Sequence, residues 1–169
     1  MVLGLSLPAF TILHVIISLI AIATGILVMF GLLGSKRLPG LTAIFLLFTI
    51  LTSATGFLFP FKELLPSHMV GILSLVLLAI ACIALYGMRL SGAWRPVYVV
   101  TAMTSLYLNI FVLIIQAFLK VPALQAVAPS VPPAPPSGPV FGVVQGIVFV
   151  FFVLVIIGAW RRFRPMALV

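Results

Sequence analysis

Few side chains in the apolar stretches of this chain have chemistry to offer. They are His14, His68, Asn109, Gln116 and Gln145, with Glu63 close by in sequence. Imidazoles and amides are costly in hydrocarbon, so each asks for a partner or a ligand. Neutral imidazoles on facing helices can supply both axial ligands of a b-type haem, here His14 and His68. With Glu63 the same pair would form a His-His-Glu metal site. A quinone or another lipophilic ligand needs less, an imidazole and an amide to hydrogen-bond its polar end. Other chemistries are excluded by composition. There is no Asp and one Glu, so paired-carboxylate catalysis and carboxylate-bridged metals are out within one chain. No phosphate-cradling or dinucleotide glycine pattern occurs. A Ser-His-acid triad lacks its Asp, although Glu63 could stand in. The lone Cys82 allows no intrachain disulfide and no thiolate cluster; it reads as a small packing residue. The balance points to binding or electron transfer rather than to an enzyme.

The elements that must position these groups are membrane helices. The chain has 169 residues, 64% hydrophobic and 6% charged, a surface only lipid can solvate. Five continuous apolar runs are each long enough to cross about 30 Å of hydrocarbon as a helix. They span about Ala9–Leu33, Leu41–Phe59, His68–Met88, Pro96–Leu119 and Val140–Trp160. A β-barrel would show short alternating segments instead. The first run has no basic residue before it and is too long for a signal core, so it is expected to remain as a helix. The expected fold is all-α, a single transmembrane domain over residues 1–169. Between the runs lie polar turns, with Ser67 placed to cap the third helix and Pro96 suited to the first turn of the fourth. The fourth connection, Lys120 to Pro139, is rich in proline and predicts extended or disordered chain. No span has an interior proline, which argues against the broken helices of many ion-coupled transporters.

Charge orients the bundle. Of nine Lys and Arg, seven (Lys36, Arg37, Arg89, Arg95, Arg161, Arg162, Arg164) fall on one side and two (Lys62, Lys120) on the other. The positive-inside rule then puts the N-terminus outside and the C-terminus in the cytoplasm. The net charge of +8 reads as topology signal and lipid-headgroup contact, not as nucleic-acid binding. In this orientation every helix carries a polar group in the outer third of the membrane, while the inner half holds mainly Thr42, Tyr98 and Thr101. The expectation is a polar pocket opening outward, lined by His14, Ser53, His68, Gln116 and Gln145, with Asn109 deeper and Glu63 at the rim. On the fourth helix Tyr98, Thr101, Ser105, Asn109 and Gln116 share a face that must turn toward other helices. The simpler alternative is that these groups hold helices together, at about 0.6 kcal/mol per interhelical hydrogen bond.

The stretches KRLPGLTAIFLLFTILTSATGFLFP, LPSHMVGILSLVLLAIACIALYG and SGAWRPVYVVTAMTSLYLNIFVLIIQAFLKVPALQAVAP resemble those of a family of small, hypothetical bacterial inner-membrane proteins. The resemblance implies a bacterial cytoplasmic-membrane location and carries over no activity and no site residue. Two function classes therefore stand. One is an accessory or lipophilic-ligand-binding protein, with a quinone as one ligand, alone or in a homo- or hetero-oligomer. The other is an electron-transfer protein with haem b on His14 and His68.

Overall fold

The computed structural model describes residues 2–60, 66–128, 130 and 134–164. Among the described residues there are six α-helices: α1 Leu7–Leu33, α2 Pro39–Gly56, α3 Pro66–Cys82, α4 Trp94–Lys120, α5 Pro122–Val127 and α6 Pro139–Arg162. A π turn, Ile83–Gly87, prolongs α3. Five helices are long and apolar enough to cross a membrane, with α3 and its π turn counting as one. The chain is a polytopic membrane protein. Large apolar side chains such as Phe30, Ile147, Phe149 and Leu154 are exposed on the bundle, where lipid is their only suitable solvent.

Helix ends follow local chemistry. Ser6 accepts a hydrogen bond from the Ala9 amide at 3.4 Å and caps α1, with Pro8 in the first turn. Proline also starts α2, two residues ahead of the expected Leu41, because its fixed φ suits a first turn and its missing N–H is not needed there. The backbone of α3 begins at Pro66, which puts Ser67 inside the helix rather than before it. Two further departures concern the end of α2 and the proline-rich connection. Helix α2 stops at Gly56, and Phe57 to Phe59 form a turn. The connection opens with the short helix α5, fastened to the end of α4 by a hydrogen bond from the Gln125 amide to the Leu119 carbonyl. Of the prolines expected to be extended, Pro129, Pro132 and Pro133 lie outside the described residues.

Packing is uneven along the membrane normal. Helices α1 to α4 form a four-membered ring, and α6 lies outside it against α4 and α1. The buried core gathers Val28, Met29 and Leu32 of α1, Phe45 and Leu46 of α2, Leu78 and Ala81 of α3, Val99 to Leu106 of α4, and Phe152, Val155 and Ala159 of α6. These residues all lie toward the face where α1 ends and α4 begins, here called the C-terminal face. Gly25 marks the upper limit of this solid half. A Cβ there would stand 2.6 Å from a Leu106 methyl and 2.8 Å from the Phe45 ring, so α1, α2 and α4 approach closely and any side chain at this point would have to displace those two. Beyond it, toward the N-terminal face, the helices part.

Candidate functional site

The parted half holds a half-open cavity of about 620 Å³ between α1, α2, α3 and α4. That volume lies within the range of small-molecule sites. Its wall runs from Thr11 to Ile22 on α1, through Thr52, Ser53 and Gly56 on α2 and His68 to Ser74 on α3, to Leu108 to Lys120 on α4. Most of the wall is apolar. The turn after α2 adds Phe57, Phe59 and Pro60 at the mouth.

His14 is positioned by α2. Its Nδ1 lies 2.7 Å from the Thr55 hydroxyl oxygen. That hydroxyl also lies 2.7 Å from the Leu51 carbonyl, the usual back-bond of a helical threonine. A hydroxyl has one proton. With it on the Leu51 carbonyl, the Thr55 oxygen accepts from Nδ1–H, and His14 keeps its lone pair on Nε2. The Phe59 ring meets this imidazole edge to face at 5.2 Å. His68, in the first turns of α3, is 6% exposed, and its ring lies 5.6 Å from that of Phe57. Each imidazole thus has an aromatic neighbour from the turn that follows α2.

Deeper groups each have at least one hydrogen-bond partner. Ser53 donates to Ser74 at 3.1 Å across the α2–α3 interface. Asn109 donates from Nδ2 to the Thr49 hydroxyl at 3.4 Å, which meets the demand for a partner at mid-membrane. Ser18 and Thr52 return their protons to the carbonyls of His14 and Phe48. At the mouth, Gln116 and Lys120 complete the α4 wall.

Of the six residues singled out from sequence, His14, Ser53, His68, Asn109 and Gln116 therefore face one cavity. Gln145 does not join them. Its amide donates to the Phe111 carbonyl at 3.1 Å, tying α6 to α4 away from the cavity. Its Oε1 is buried with no hydrogen-bond partner among the described residues. Glu63, expected at the rim, lies outside the described residues. Among the described residues no three His, Cys, Asp or Glu side chains gather closely enough to hold a metal ion. Several polar wall residues escaped the sequence reading, Thr11, Ser74 and Lys120 among them. Ser74 is one serine in a strongly apolar run, and Lys120 read as a topology charge. The stripe on α4 does turn inward, with Tyr98, Thr101 and Ser105 buried in the solid half and Asn109 and Gln116 on the cavity wall.

Comparison with protein-family models, curated proteins and solved structures gives no match for this chain. The residues themselves carry the functional reading.

Proposed function

We propose that this protein binds a lipophilic small molecule, such as a quinone or a lipid, in the cavity at its N-terminal face. One observation carries the reading: a bundle packed solid in one half holds a cavity of about 620 Å³ in the other, with His14, Ser53, His68, Asn109 and Gln116 among the polar residues dispersed on its wall. Apolar wall on which no side chain packs forgoes dispersion contacts that a bound molecule would restore. An apolar wall with a few placed polar groups is the usual make-up of a ligand site. The seven-to-two distribution of basic residues supports an orientation with this face outside the cytoplasm. The resemblance of the sequence to bacterial inner-membrane proteins supports a cytoplasmic membrane as the location.

Gly56 supplies the test. It lies on the cavity wall, and a Cβ there meets nothing nearer than a His14 ring carbon at 4.0 Å. Gly56→Phe fills the cavity from a position that tolerates a side chain. Solvent extracts of the purified wild type are expected to hold one lipophilic species near stoichiometry, depleted in Gly56→Phe. Identical extracts from folded wild type and variant would reject the binding role.

A second reading rests on both histidines facing the same cavity, with the His14 Nδ1 hydrogen-bonded to Thr55. A hydrogen bond of that kind orients an imidazole for ligation through its other nitrogen. His14 and His68 would then hold haem b for electron transfer. A reduced-minus-oxidised spectrum decides it: a stoichiometric b-type signal lost in both His14→Ala and His68→Ala supports haem. A colourless protein from haem-supplied cells eliminates it.

A further inference from the structure

Resting on the ligand-binding reading, we infer that the occupant is a single-chain amphiphile with an anionic head, a carboxylate or a phosphate, that enters sideways from the bilayer. Three observations lead there. The charged and titratable wall residues are Lys120, His14 and His68, with no acid among the described residues of the wall. A head bearing negative charge therefore finds a complementary mouth.

The polar groups are unequally available. Those on the floor are engaged with each other, Ser53 with Ser74 and Asn109 with Thr49. Lys120 and Gln116, at the mouth, have hydrogen-bonding capacity that no described residue takes up. Recognition of a polar head belongs at the mouth, and the interior suits a chain. From Asn109 to Lys120 the wall rises about 16 Å along α4, a depth that takes an acyl chain end-on.

The entrance follows from α1 and α4. Val15 and Leu19 of α1 and Leu113 of α4 line the cavity yet remain 41%, 48% and 40% exposed. The solid core that joins these two helices lies on the other side of Gly25. Between their parted halves an apolar slot faces the acyl region. A chain slides in through it while the head stays at the level of Lys120, where the lysine forms a charge-assisted hydrogen bond to it.

The experiment uses the full chain in zwitterionic nanodiscs and a dansyl-labelled fatty acid as the probe. Competitors are palmitate, a lysophospholipid with a terminal phosphate, hexadecanol and inorganic phosphate. Palmitate or the phosphate lipid is expected to displace the probe at least about tenfold better than hexadecanol, with inorganic phosphate inert. The stronger of the two identifies the head. Lys120→Gln is expected to weaken the probe about tenfold while Lys120→Arg retains it. Leu113→Trp, which narrows the slot, is expected to slow probe entry. Hexadecanol competing as well as palmitate, or Lys120→Gln binding as wild type, would overturn the anionic head. Displacement by inorganic phosphate would overturn the role of the chain, and unchanged entry kinetics in Leu113→Trp the lateral route. If these fail while Gly56→Phe still abolishes probe binding, the cavity remains a site for a neutral lipophile. If the probe is indifferent to Gly56→Phe, the inference falls together with the role of the cavity.

Discussion

The contact between His14 and Thr55 joins α1 to α2 through one hydrogen bond of 2.7 Å inside the membrane. Such bonds contribute about 0.6 kcal/mol on average, because a membrane-unfolded chain also finds partners. A double-mutant cycle of His14→Ala and Thr55→Val, read from unfolding in mixed micelles, is expected to give a coupling of about that size. A coupling of zero would mean the two side chains do not meet. Gln145 offers the opposite case. It holds one bond to the Phe111 carbonyl and one buried oxygen with no partner among the described residues, so Gln145→Leu removes a benefit and a penalty together. Its stability is expected to change by less than about 1 kcal/mol, with ligand affinity unchanged. A loss of affinity would place Gln145 in the site. These two residues show what the sequence can tell. Polarity in an apolar run made His14, Ser53, His68, Asn109 and Gln116 stand out, and helical rise gave their depth. Which neighbour a side chain faces depends on the rotation of its helix in the bundle, which spacing alone does not fix. Gln145 has the depth of a cavity residue and the wrong azimuth.

Helices differ in how tightly their glycines are held, and the difference is measurable. At Gly25 three helices meet, and an added Cβ would strike Leu106 and Phe45. Gly25→Ala is expected to cost about 1–3 kcal/mol through overpacking, seen as a lower midpoint in thermal or denaturant unfolding. At Gly146 of α6 nothing lies within 4 Å of a Cβ. Gly146→Ala is expected to gain up to about 1 kcal/mol from helix propensity alone. A large loss at Gly146 would mean that another chain packs there. Five spans were legible because each is a continuous apolar run. The helix α5 was not, since Pro122 at the head of a proline-rich stretch reads as a breaker while acting as a first-turn residue. The end of α2 was misjudged by three residues because Phe57 to Phe59 are as apolar as the helix before them. Hydropathy registers burial in lipid or protein and is blind to where the backbone turns.

At the scale of the molecule, both ends of the α1–α6 pair are visible in one contact. The Arg164 amide donates to the Ser35 hydroxyl at 2.9 Å, so the chain beyond α6 returns to the α1–α2 turn at the C-terminal face. The proposed orientation, argued from charge, puts this face in the cytoplasm, and exposed serines at the two faces allow a check. In a Cys82→Ser background, a cysteine at Ser137 is expected to react with an impermeant maleimide in intact cells. One at Ser91 is expected to react only after the membrane is opened. The reverse pattern would invert the proposed orientation and place the cavity mouth in the cytoplasm.

The unequal filling of the two halves also gives the protein an uneven compressibility. The half built on Phe45, Tyr98 and Leu106 has little volume to give up. The half around the cavity does, because loosely filled space yields before close-packed side chains do. Hydrostatic pressure therefore acts on one end of this bundle first, shifting the helices around His14 before it disturbs the contact at Gly25. A molecule seated in the cavity occupies that volume and makes the two ends mechanically alike.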